Sequence, residues 1–147
     1  MKRIVYAILV IIWMGTIFYF SNQVSDDSSK SSGRITETIV KVISKDPEKA
    51  PLELKERVEK IVRKTAHFSM YAIGGFLIAG LISTTKVTNK YLVIISILLT
   101  ALYACSDEIH QLFVYGRSCE VRDIFIDILG ASLGTTIFLL VRKLRKK

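Results

Sequence analysis

Two histidines, several carboxylates and a lysine stand where an otherwise apolar chain has little reason to carry them, and their spacing sorts them into three groups. Lys64, His67, Tyr71 and Gly75 recur every three or four residues, so on a helix they share one face. Ser106-Asp107-Glu108-Ile109-His110-Gln111-Leu112-Phe113 breaks an apolar run with acids, an imidazole and an amide. The chain then continues through Val114, Tyr115, Gly116, Arg117, Ser118, Cys119 and Glu120, where Gly116 reads as a turn and Arg117 is the natural charge partner of a nearby acid. Asp123, Asp127, Gly130 and Gly134 form the third group, again on one helical face, and Gly130 to Gly134 is a small-xxx-small spacing that lets another helix approach closely.

An imidazole beside carboxylates is the usual material of general acid–base chemistry, which makes His67, His110, Asp107 and Glu108 the catalytic candidates. The same groups could supply nitrogen and oxygen ligands to a metal, but the spacing demands none, and we expect neither a metal nor a cofactor. Arg117 and Lys64 would serve as anion contacts, since a guanidinium can grip phosphate or carboxylate with two prongs. The candidate ligand-binding set is therefore Lys64, His67, Tyr71, Asp107, Glu108, His110, Gln111, Arg117, Asp123 and Asp127. Each piece has a plainer reading. A histidine one turn from a tyrosine is commonly a structural hydrogen-bonded pair, and the 106–123 segment could be a solvated loop laced with ion pairs. Phe113, Val114 and Tyr115 among its charges favour a loop that dips back against apolar structure. No H-E-x-x-H, nucleophile elbow or phosphate loop occurs, so no familiar reaction is spelled out.

The elements that must position these groups are membrane spans. Of 147 residues half are hydrophobic, with a mean hydropathy of +0.39, and crossing the hydrocarbon takes roughly 17 to 25 mostly uncharged residues. Four segments approach or meet that length, at about residues 4–20, 65–83, 91–105 and 124–141. The first follows Lys2 and Arg3, as a signal peptide would. Phe18, Tyr19 and Phe20, however, stand where cleavage needs small residues, and with Trp13 they suit a retained span with an aromatic interface belt. The expected fold is all-α: an integral membrane four-helix bundle forming one domain over 1–147, with a polar re-entrant-like loop between the third and fourth helices.

The formal charge of +8 does not argue for nucleic acid. Arg142, Lys143, Arg145, Lys146 and Lys147 crowd the last six residues, as a flank facing anionic lipid should. With Lys2, Arg3, Lys86 and Lys90 they place both termini in the cytoplasm and the first loop, 21–64, outside. Ser21 to Gly33, rich in serine with Asp26 and Asp27, reads as loop. Ile35, Ile39, Val42 and Ile43 then mark the apolar face of one amphipathic helix. Leu54, Val58, Ile61 and Val62 mark a second, which should run on into the second span. Such helices could cap the bundle, lie in the lipid interface or grip a partner. Cys105 and Cys119 would both lie toward the outer face, where a disulfide is allowed but not implied.

Taken in order, these motifs resemble the VanZ-like family of bacterial membrane proteins. The resemblance rests on the Phe20-Ser21 exit from the first helix, Lys64-x-x-His67-x-x-x-Tyr71, Asp107-Glu108-x-His110-Gln111-x-Phe113, Gly116-Arg117-Ser118, and Asp123-x-x-x-Asp127-x-x-Gly130-x-x-x-Gly134. Tyr115 departs from a proline frequent before the Gly-Arg pair, and Asp127 stands where asparagine is also common. The resemblance implies a place in the bacterial cell membrane and a role in reduced susceptibility to teicoplanin-type glycopeptides or lipoglycopeptides, or another envelope function. Three readings remain open. The first is a non-catalytic protein that binds a membrane lipid, an anionic lipid-linked wall precursor, a glycopeptide or a partner at its outer face. The second is an intramembrane enzyme using His67 or His110 with the acids. The third is a small transporter, working as a dimer, with Asp127 as its proton or cation site.

Overall fold

The computed structural model of the chain describes residues 1–22, 25–44, 50–115 and 120–145, with the side chains of 25–32 and 34 outside that description. Among the described residues every element is helical: α1 Lys2–Ser21, α2 Ser25–Ile43, α3 Leu52–Ile82, α4 Asn89–Gln111 and α5 Val121–Leu144. α1, α3, α4 and α5 are each, by length and composition, long and apolar enough to cross a membrane, and each overlaps one of the segments expected to span it.

Side-chain pairs between the helices fix their directions. Trp13 of α1 donates its indole N–H to the Met70 carbonyl of α3 at 2.8 Å, and Tyr6 lies over Gly80, so α1 and α3 run antiparallel. α3 and α5 run parallel, with Phe68 facing Gly130 and Ala72 facing Gly134. Arg142 near the end of α5 reaches Asn89 at the start of α4, which makes those two antiparallel. The spans thus alternate in direction along the chain.

Beside the buried Trp13, Tyr71, Leu92 and Phe138, much of the interior is small or polar, while the exterior is rich in large apolar side chains. Ala79, Ser96, Thr100, Ala104, Ala131 and Thr135 are buried, whereas Ile8, Ile12, Leu98, Leu102, Leu133 and Leu140 are exposed. A soluble bundle would reverse this. In lipid, exposed leucine costs nothing, and helices gain instead from close backbone approach and shared hydrogen bonds. Ser96 and Thr100 return their hydroxyls to carbonyls of their own helix, at 2.7 and 2.8 Å, and so can be buried at little cost. The closest seam joins α3 and α5. A Cβ at Gly75 would strike the Ala131 carbonyl oxygen, at Gly130 that of Phe68, and at Gly134 that of Ala72. The glycine spacing of α5 therefore serves a partner within the same chain, and Thr135 adds a hydrogen bond of 3.3 Å to the Gly75 carbonyl.

Three expectations need correction. The polar run after residue 105 is not a re-entrant loop at its start, because α4 continues through Gln111. Asp107, Glu108 and Gln111 fall on its buried side while Ile109 and Leu112 are exposed, so the amphipathic pattern holds the segment in helix. Nor is Ser21–Gly33 a loop throughout, since α2 begins at Ser25. The inward face of α2 is also not the predicted one. Thr36 and Val40 are buried, with Ile39 packed beside Val40, whereas Ile35, Val42 and Ile43 are exposed.

As expected, the second amphipathic helix and the second apolar segment form one unbroken rod. α3 has 31 residues, about 46 Å at 1.5 Å per residue, against a hydrocarbon core of about 30 Å. Its first turns therefore project past one membrane face. There Val58, with Leu54 and Val62, packs against Val40 of α2 and Ala50. Glu53 and Arg57, four residues apart on the exposed side, form an ion pair at 2.6 Å. Cys105 is a free, half-buried thiol, and Cys119 lies outside the described residues.

Candidate functional site

The register of α3 against α5, set by the glycine seam, carries two polar pairs with it. Where the rods meet at the projecting end, Lys64 Nζ lies 2.5 Å from Asp123 Oδ1 and 3.5 Å from Glu120 Oε2. Glu120 also lies 3.9 Å from Arg63. Asp123 sits in the first turn of α5, where unpaired backbone N–H groups favour a carboxylate. The Lys64 ammonium is thus engaged by the chain's own acids. Its geometry suits a brace between α3 and α5 better than a free anion contact.

One turn deeper, His67 Nδ1 lies 3.6 Å from Asp127 Oδ1. That is ion-pair range but longer than a hydrogen bond. Asp127 is fully enclosed, and neither of its oxygens has a hydrogen-bond partner; nor does His67 Nδ1. Below them Tyr71 lies nearly parallel to the His67 ring, at 16° with centroids 6.5 Å apart. Its hydroxyl is buried without a partner, so the pair is not the hydrogen-bonded one expected.

α4 closes the third side. Asp107 and Gln111, four residues apart on its buried face, share a hydrogen bond in which the amide Nε2 donates to Oδ2 at 3.1 Å. Glu108 accepts the backbone N–H of Glu120 at 2.9 Å through Oε2, while its Oε1 is buried and unpartnered. The three walls belong to one site. His67 is within electrostatic range of Asp127, Asp107 and Asp123, and Tyr71 of Asp107, Asp127 and Glu108.

His110 is placed elsewhere. It stacks on Phe18 of α1, with centroids 4.8 Å apart, its Nε2 is buried without a hydrogen-bond partner, and among the described residues it forms no ion pair with a carboxylate. Arg117, like Gly116, Ser118 and Cys119, lies outside the described residues. Glu120 is the participant that sequence reading passed over, because its role comes from standing immediately before α5, where one residue can meet both Lys64 and Glu108. Its place three residues ahead of Asp123 was the available signal.

The arrangement gathers hydrogen-bond acceptors in a place where burying them is costly. An unpaired buried polar group forfeits about 1–3 kcal/mol, and a carboxylate more. Four carboxylates at this end are buried, those of Asp107, Glu108, Asp123 and Asp127. Among the described residues no three His, Cys, Asp or Glu side chains converge as a metal would require. Chemically the cluster can orient an imidazole against a carboxylate and can accept hydrogen bonds from a ligand.

Set beside known proteins, the chain matches the model of one family, VanZ/LLP1, over residues 6–142. Neither a curated protein nor a solved structure matches it significantly.

Proposed function

Since the chain belongs to the VanZ/LLP1 family, we propose that it is a multi-pass protein of the bacterial cell membrane that lowers susceptibility to teicoplanin-type glycopeptides or lipoglycopeptides. In this reading it engages a lipid-linked envelope component at the outer membrane face, without turnover. Membership supports the family role, and the four apolar helices support the membrane location.

The observation that carries the reading is the enclosed Asp127 carboxylate, both of whose oxygens lack a partner, facing His67 at one end of a membrane bundle. Structural side chains at such a depth are normally satisfied by their neighbours, so a group left open there is kept for something that arrives. Orientation follows from charge. Lys2, Arg3, Lys86, Lys90, Arg142, Lys143 and Arg145 lie at the end of the spans opposite to the polar site, which supports a reading in which the site faces outside, the basic residues of the long first loop counting less because long loops translocate with less regard to charge. Arg117, in the segment between α4 and α5, supplies the anion contact for the phosphate of a lipid-linked precursor.

The test is teicoplanin tolerance in a Gram-positive host expressing the wild type, Asp127→Asn or His67→Ala, with membrane abundance measured in the same cells. Wild-type expression should raise tolerance, and both variants should lose the gain while remaining abundant. Unchanged tolerance on wild-type expression would refute the resistance role, and full tolerance in both variants would refute the site.

A further inference from the structure

The acids of the site outnumber the bases that face them. Lys64 answers Asp123 and Glu120, and His67 stands before Asp127. Among the described residues no cationic side chain forms an ion pair with Asp107 or Glu108. Within this site, among the described residues, the buried oxygens of Asp127, Glu108 Oε1 and the Tyr71 hydroxyl are left with no hydrogen-bond partner. All three residues are 1 % exposed. Tyr71 is an independent witness, because its orphaned hydroxyl does not belong to the acid cluster and yet lies within reach of the fields of Asp107, Asp127 and Glu108.

We propose that the unpartnered oxygens of Asp127, Glu108 and Tyr71, on α5, α4 and α3, bind a primary ammonium group. The proposal deepens the reading of the site given above and rests on it. An –NH3+ group has three N–H donors and no acceptor, so it matches three unfilled acceptors. It also supplies the positive charge that buried carboxylates need. An anion would enter an end of the bundle where four carboxylates are buried, which disfavours it there. A bare metal ion fits poorly, since it asks several ligands to converge within about 2.0–2.6 Å, and no such convergence occurs among the described residues. Charge-assisted N–H···O bonds are longer, about 2.7–2.9 Å, and tolerate a more open arrangement. The ammonium can come from the headgroup of a membrane lipid or from a soluble amine.

The reporter is built in. Trp13 is the one tryptophan in the chain, and its ring meets Tyr71 edge-on with centroids 5.9 Å apart. Full-length protein in phosphatidylcholine nanodiscs is titrated with ethanolammonium chloride while Trp13 emission is followed. Tetramethylammonium, which has the charge but no N–H, and sodium serve as comparisons at equal ionic strength. The expected result is a saturable change with ethanolammonium alone. Asp127→Asn and Glu108→Gln should each weaken it roughly tenfold or more, as loss of one charge-assisted bond implies. Tyr71→Phe should weaken it less. Gel filtration and thermal unfolding identify which variants are folded, and the ligand selectivity of the wild type tests the site even if none is. Nanodiscs containing phosphatidylethanolamine separate the two sources. Titration pre-empted there assigns the site to a lipid headgroup, and titration unaffected assigns it to a soluble amine. No saturable response, an equal response to tetramethylammonium or sodium, or unaltered titration in folded Asp127→Asn and Glu108→Gln would overturn the proposal. A failed tolerance assay with selective amine binding intact would sink the resistance role and leave this site standing.

Discussion

Replacing Gly134 with alanine adds one methyl group, and its effect can be worked out from the seam it enters. The new Cβ would stand 2.7 Å from the Ala72 carbonyl carbon and 3.0 Å from the Phe76 nitrogen, and closer still to the Ala72 oxygen. Ordinary contact begins near 3.4 Å, and every obstacle is backbone, so no side chain can swing aside. α3 and α5 must part by several tenths of an ångström or more along a seam that also holds Gly75 and Gly130. Overpacking of this kind costs about 1–3 kcal/mol, against which the better helix propensity of alanine returns up to about 1 kcal/mol. The net expectation is destabilisation by about 1–2 kcal/mol. Gly15 provides the matched control, because a Cβ there meets nothing within 4 Å, so Gly15→Ala should be neutral or stabilising. Reversible unfolding in mixed micelles, followed by Trp13 fluorescence, compares the two. Since the same seam sets the His67–Asp127 spacing of 3.6 Å, Gly134→Ala should also impair tolerance, and Gly15→Ala should not. Equal stability of the two variants would refute the assigned packing of α3 on α5.

Lys64→Met should destabilise the protein by leaving Asp123 and Glu120 without their ammonium, at a cost moderated by the partial exposure of the pair. The double change Lys64→Met with Asp123→Asn should recover much of that loss in the same unfolding assay, and no recovery would mean that Lys64 acts elsewhere. Arg117→Lys and Arg117→Ala should both lower glycopeptide tolerance at near wild-type abundance, because lysine keeps the charge but loses the two-pronged contact. Full tolerance in both would remove Arg117 from the site. A membrane-impermeant thiol reagent should label Cys119 in intact cells once the thiol is verified as reduced, whereas labelling only after lysis would reverse the proposed orientation.

Much of the architecture could be read directly from the chain because a bilayer imposes a one-dimensional rule: enough consecutive apolar residues make a span, whatever their neighbours. Ile4–Phe20 and Ile124–Val141 obey it, and they fall within α1 and α5. Helical periodicity likewise put Lys64, His67 and Tyr71 on one face, and Asp123 with Asp127 on another, before any packing was known. What periodicity lacks is direction. It could not tell that the two faces look at each other in register, Lys64 to Asp123 and His67 to Asp127, since that depends on Gly75, Gly130 and Gly134 letting two parallel helices nearly touch. The two histidines looked equivalent as residue types. Only packing turned His67 toward a carboxylate and His110 onto Phe18. The acids of 106–111 read as the end of a span because charge is costly in lipid, yet they remain helical because the bundle offers them an interior that the sequence does not display. For α2 the limit is the same, since one helix can bury only one face. The choice of Val40 over Val42 was made by the surface of α3 that it lies against.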